Sequence, residues 1–193
     1  MKDVREGYVS LWARIVNREI TQIDYDFFKK ETSRWIDIDV IGVKPGSESI
    51  SLYNVKSNIN TNTKNTDPEI IAKNFRETIT VLNSGYNREF IYNLYLIYES
   101  ADRFPKTKAE ERKTEYIEKI LSELELLEIR NVKKLVVKSI SECLIEIINS
   151  IAKSPVKKGS HCFNLENNIC VYPFHKIREL QFLDIYTNYN PKQ

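Results

Sequence analysis

One stretch constrains this chain more than any other: residues 35–64, WIDIDVIGVKPGSESISLYNVKSNINTNTK. Ile36, Ile38, Val40 and Val43 alternate with Asp37, Asp39 and Gly42, the period-two pattern of a half-buried strand. Lys44-Pro45-Gly46-Ser47 reads as a turn, because proline presets φ and glycine supplies a positive one. Ile50, Leu52, Tyr53 and Val55 then carry the chain back. Folding about the middle of that turn sets Asp39 opposite Asn54 and Asp37 opposite Lys56. Residues two apart on a strand share a face, so Asp37, Asp39, Asn54 and Lys56 are expected on one side of the hairpin. Two carboxylates, an amide and an amine would converge there, and a slip of one residue would scatter them.

Composition narrows what such a hairpin can serve. A chain of 193 residues with 29% charged and 41% hydrophobic side chains suits one folded domain spanning 1–193. No apolar run reaches the length of a membrane span, and the opening MKDVREGYVS lacks the apolar core of a signal peptide. Three cysteines without an even framework point to a reducing compartment, hence a cytoplasmic protein. A net charge of only +2 means that any nucleic-acid partner meets a local patch. Five glycines form no phosphate-cradling loop, so no cofactor beyond a metal ion is expected.

Along the chain the elements alternate. Val4, Tyr8, Leu11, Trp12, Ile15 and Val16 predict an amphipathic helix over 3–19. Residues 23–28 are expected to be a short strand or an irregular connection. After the hairpin, the polar run SNINTNTKNT at 57–66 reads as a surface loop. Asp67-Pro68-Glu69 is a helix start, with Asp67 as N-cap, and Gly85 is its expected end. Residues 90–98 form a strand buried on both faces. Thr107 to Glu128 is a long helix turning Tyr116, Ile117, Ile120, Leu121, Leu124 and Leu127 inward. A strand over 132–137 precedes Ser139-Ile-Ser-Glu142, a capping box opening a helix through Ala152. A basic linker over 155–159, a strand at 169–172 and a helix at 178–186 follow. The predicted architecture is α/β: a mixed sheet flanked by helices.

A helix, an aspartate on one strand, x-Val-Lys on the next, then a helix and a strand: this order resembles the PD-(D/E)xK nuclease superfamily, which includes many restriction endonucleases. The likeness covers residues 1–98, leaving 99–193 as an extension. It implies a restriction-endonuclease-like fold and a Mg²⁺- or Mn²⁺-dependent endonuclease acting on DNA. It also implies two copies to cut two strands, with the helix at 107–128 as the candidate homodimer surface, although its stripe equally fits ordinary core. The family's helix acid would fall on Glu6, with Glu19 the fallback; its strand aspartate on Asp39; its (D/E)xK tripeptide on Asn54-Val55-Lys56. Asn54 departs from the pattern, standing where a carboxylate is usual and removing one negative charge. The implied metal set is Asp39, Asn54 and Glu6, with Lys56 orienting the attacking water. The chemistry fits these residue types, because Mg²⁺ prefers oxygen ligands and keeps several waters, so one or two carboxylates suffice.

Plainer readings stand beside these. Asp37 and Asp39 also suit a solvated strand face, Lys56 a surface ion pair, and Glu6 a first-turn acid favoured by the helix dipole. With Asn54 neutral, the alternative function is a catalytically inactive member of the same fold that binds nucleic acid or protein. His161, Cys162, Cys170 and His175 carry zinc-ligating groups, but their spacing matches no tight ligand pair, and Cys170 also reads as a small core residue.

Overall fold

The computed structural model describes residues 4–29, 34–62, 64–152, 164–165 and 169–170. Helix α1 (Val4–Ile15) leads into three successive antiparallel strands, β1 (Ile20–Lys29), β2 (Arg34–Val43) and β3 (Ser49–Ile59). Helix α2 (Pro68–Tyr86) crosses to β4 (Ile91–Ala101), and α3 (Ala109–Leu126) crosses to β5 (Val132–Ser139). Both crossovers leave their strands parallel, so the five-stranded sheet is mixed, in the order β1-β2-β3-β4-β5. Helix α4 (Ile140–Ala152) follows, and a two-residue pairing joins β6 (Asn164–Leu165) to β7 (Ile169–Cys170). The expected α/β class is observed. Because β5 lies in the same sheet as β4, α3 and β5 add to the core.

Alternation along the strands splits the core between two faces. Leu52, Leu94 and Leu96 point toward α2 and α3, where Ile71, Phe75, Ile79, Leu82, Tyr116 and Ile120 cover them. Tyr53, Tyr95 and Ile97 point the other way, toward Trp12 and Ala13 of α1 and Cys143 and Ile147 of α4. Each such fully enclosed aliphatic contributes roughly 1.5–3 kcal/mol, and β4, covered on both faces, is the strand the apolar run at 90–98 predicted. The capping box forms as expected: Ser139 N donates to Glu142 Oε2 at 2.6 Å and Glu142 N to Ser139 Oγ at 3.1 Å. Lys113 of α3 is also buried, donating to Glu142 at 2.8 Å and tying α3 to the start of α4.

Several boundaries differ from expectation. β1 is a full ten-residue strand. β3 runs on to Ile59, through the first part of the expected loop, because Asn58 and Ile59 pair with Ser100 and Ala101 of β4. Asp67 does start α2, but its side chain caps no backbone N–H; Oδ1 accepts from Arg103 at 2.5 Å instead. Gly85 lies inside the helix, which ends at Asn87 in the left-handed region, φ 47°. The helix expected at 178–186, His161, Cys162 and His175, and the side chain of Cys170 lie outside the described residues.

Candidate active site

The register of the central hairpin follows from its turn. Gly46 takes φ 76° there, and Val43 pairs with Ile50, Gly42 with Ser51, Ile41 with Leu52 and Val40 with Tyr53. Continued one rung, this ladder would set Asp39 opposite Asn54, as the sequence predicts. The ladder stops there. The Asp39 carboxylate instead accepts a hydrogen bond from the Val55 backbone N–H, Oδ2 to N at 2.6 Å. Past Val40 and Tyr53 β2 and β3 form no further pair, while β2 stays paired with β1 and β3 with β4 as they are throughout. Asp37 is the register partner of Asp26 on β1, and Lys56 that of Tyr98 on β4. The expected Asp37–Lys56 opposition is therefore replaced by a fork whose vertex is Asp39. The side chain of Asp37 lies outside the described residues.

Asn54 and Lys56 continue the row of Ile50 and Leu52, on the face covered by α2 and α3. Both are half-buried, as is Asp39. The Asn54 Oδ1 atom is buried with no hydrogen-bond partner among the described residues. A buried carbonyl oxygen left unsatisfied is costly, and oxygen donors of this kind suit a hard cation.

Helix α1 runs antiparallel to β3. The residue Glu19, just past its end, meets Ser51 near the start of β3, while Arg5 near its beginning pairs with Glu99 near the end of β4 at 3.6 Å. Trp12 stands level with Tyr53, ring centroids 6.1 Å apart. Glu6 lies about 9 Å further along the helix at ~1.5 Å per residue, roughly three strand residues, hence level with Val55 and Lys56. Glu6 is half-buried and belongs to the same end of the sheet as the fork, on the α1 side.

Glu19, the fallback acid, goes elsewhere. It is buried at the closed end of the hairpin, accepting from Ser51 Oγ at 2.6 Å and from the Tyr53 hydroxyl at 2.5 Å. Asn17 Nδ2 donates to the same hydroxyl at 3.0 Å, and Tyr53 stacks on Tyr95 at 4.5 Å. Gly42 packs directly on this carboxylate: a Cβ there would overlap Glu19 Oε2 and lie 3.3 Å from the Tyr53 ring, so Glu19 would have to shift. Burial lifts the Glu19 pKa above the ordinary carboxyl range, although the hydrogen bonds from Ser51 and Tyr53 and the charges of Lys134 and Lys44 pull it down.

Two further acids emerge from the pairing. Asp24-x-Asp26 on β1 repeats the spacing of Asp37-x-Asp39, and the antiparallel register brings the two sets to neighbouring rungs. Asp26 faces Asp37 directly; the ladder skips Asp24 and Asp39, where Asp24 takes φ 52°. The shared Asp-x-Asp spacing was the available signal. Among the described residues no three His, Cys, Asp or Glu side chains gather closely enough to hold a metal ion, and the side chains of Asp26 and Asp37 are not among them. No family model, no curated protein and no solved structure matches this chain.

Proposed function

We propose that this protein is a divalent-metal-dependent endonuclease hydrolysing phosphodiester bonds in DNA, on a restriction-endonuclease-like fold of the PD-(D/E)xK type. The observation that carries the reading is the end of the β2–β3 ladder at Asp39, whose carboxylate is held by the amide of Val55, next in the chain to Asn54, whose buried side-chain oxygen has no partner among the described residues. The order helix, three antiparallel strands, helix, parallel strand supports it. Asp39 and Asn54 Oδ1 are the groups that would hold Mg²⁺ or Mn²⁺; Glu6, on the α1 side of the sheet, lies across it from Asn54 and is left out of that set. When bound, such an ion acidifies water and offsets charge on phosphate oxygens. The protein's own part is to fix the Asp39 carboxylate by a backbone hydrogen bond and to present the Lys56 ammonium, which orients the water and balances negative charge. A neutral amide at 54 weakens the hold on the ion relative to a carboxylate.

Incubation of supercoiled plasmid with Mn²⁺ tests this. Wild type should nick it, Lys56→Ala should be slower by about 100-fold or more, and Asn54→Asp should cut as well or better. Equal nicking by wild type and Lys56→Ala would place the activity elsewhere. One observation favours a second, non-catalytic reading: no trio of candidate metal-ligating side chains gathers among the described residues. On that reading the plasmid is bound and left intact.

A further inference from the structure

The carboxyl ends of the parallel strands β3 and β4 open into a cavity of about 510 Å³. Thr61, just past β3, and residues 102–105, just past β4, line it on the strand side. Pro68 at the start of α2 and one face of α3 line the rest. In open α/β sheets the crevice outside the carboxyl ends of the strands is where ligands bind, and the volume falls within the range of small-molecule sites. Phe104 and Tyr116, otherwise buried, share an apolar floor with Pro68 and Pro105. Arg103 fixes that floor. It donates to Asp67 at 2.5 Å and to the Asn60 carbonyl at 3.0 Å, and its guanidinium stands over the Tyr116 ring, 5.7 Å from the centroid.

Most of the charge around the cavity is settled within the protein. Arg103 is paired with Asp67, and Arg112 with Glu115 at 2.9 Å. Asp102 accepts the Thr61 N–H through Oδ1 at 2.8 Å, while neither its second oxygen nor the Thr61 hydroxyl is hydrogen-bonded by a described residue. The exposed ammonium of Lys119 also has no ion-pair partner among the described residues, although Glu115 and Glu123 stand one turn to either side on α3. The side chain of Lys106, next to Pro105, lies outside the described residues. Two polar positions are therefore open over one apolar floor: an acceptor with a hydroxyl on the strand side, and a single cation on the helix side. A ligand that satisfies all three has a flat apolar body, a hydrogen-bond donor at one end and one anionic group at the other. A long polyanion fits poorly, because Glu118 and Glu123 beside Lys119 would repel its further phosphates.

We propose that this cavity binds a nucleoside monophosphate, the base on the floor with its amino group donating to Asp102 and the phosphate on the Lys119 ammonium. A phosphorylated sugar alone would leave the floor uncovered, and a nucleoside alone would leave the cation unpaired. The binding does not rest on the nuclease reading.

Isothermal titration calorimetry of the full-length protein in EDTA tests it, with adenosine monophosphate, adenosine and ribose phosphate as probes. The monophosphate should bind, and adenosine should bind roughly ten-fold or more weakly for want of the charged contact, with ribose phosphate weaker still. Lys119→Gln should weaken the monophosphate by roughly ten-fold and leave adenosine unchanged. Cytidine and uridine monophosphates read the other end, since uracil carries a carbonyl where cytosine carries its amino group. Wild type should prefer cytidine, and Asp102→Asn, whose amide oxygen still accepts the Thr61 N–H, should lose that preference. Both variants alter exposed side chains, so their thermal midpoints should match wild type. Equal affinity for the monophosphate and adenosine, or no binding of any probe at millimolar concentration, would overturn the site. Tighter binding of a single-stranded oligothymidylate than of any mononucleotide would overturn it too, in favour of a nucleic-acid path across α3. Because EDTA removes divalent ions, this outcome and plasmid nicking in Mn²⁺ are read independently.

Discussion

Two carboxylates meet strand β3, and the chain treats them in opposite ways. At the closed end of the hairpin Glu19 is enclosed by Gly42, Ser51 and Tyr53, with both oxygens engaged by hydroxyls. At the open end Asp39 is half-buried and holds the Val55 amide where the β2–β3 ladder has stopped. In an intact ladder, backbone donors and acceptors satisfy one another, so an intruding carboxylate must find side-chain partners and loses water. Where strands part, a backbone N–H is left over and captures an acid. One acid is enclosed; the other stays half-buried.

The hardest blow to that contrast falls on its closed end. Gly42→Ala inserts a methyl group into the Glu19 carboxylate, which two hydrogen bonds hold in place. Overpacking of this kind costs about 2–3 kcal/mol, measurable by urea denaturation. The cost should shrink by about 1 kcal/mol or more in a Glu19→Ala background, because the two sites touch. A penalty equal in both backgrounds would show that Glu19 is not the wall that Gly42 faces, and the enclosure would be wrong.

The two ends also differed in how far the amino-acid sequence revealed them. Local signals worked where one stretch sufficed: the Pro45-Gly46 turn set the register through Val40, Asp67-Pro68 started α2, and Ser139 with Glu142 capped α4. The fork lay beyond local signals, because alternation predicts a face but not the rung at which a ladder ends. The ladder ends past Val40 and Tyr53, and nothing local in the stretch marks that rung. The same reason hid the last residues of β3, whose SNI, opening a polar run, reads as loop until β4 is beside it. β1 escaped because ITQIDYDFFK alternates imperfectly and Asp24 breaks its rhythm with a positive φ. Glu19 gave no sign of burial, since the hydroxyls that satisfy it are 32 and 34 residues away.

A smaller perturbation, replacing the acid by its amide, sharpens the comparison. At Glu19 burial raises the folded pKa, so the folded state holds the proton more tightly than the unfolded chain. The stability this group contributes is then fully present below the ordinary carboxyl range and is lost as pH climbs through the folded pKa. Glu19→Gln keeps the uncharged form at every pH. Denaturation series from about pH 4 to 8 should show the variant gaining on wild type as pH rises. A difference that stays flat would mean that water reaches this carboxylate and the closed end is not closed.

The same exchange at the open end should do least to the fold. Asp39→Asn retains a side-chain oxygen for the Val55 amide, so the loss is expected below about 1 kcal/mol, the gap between a charge-assisted and a neutral hydrogen bond. What should change is the response to metal. If the fork holds Mn²⁺, wild type gains stability with ion concentration, by about 2.7 kcal/mol at a hundredfold excess over Kd. Asp39→Asn should lose that gain and Glu19→Gln should keep it, read as thermal midpoints with and without Mn²⁺. The pairing matters more than either result, because a metal that stabilised both variants equally would be bound away from the fork. Loss of the gain in both would mean that the closed end shapes the open one, and the division of labour between the two acids would have to be given up.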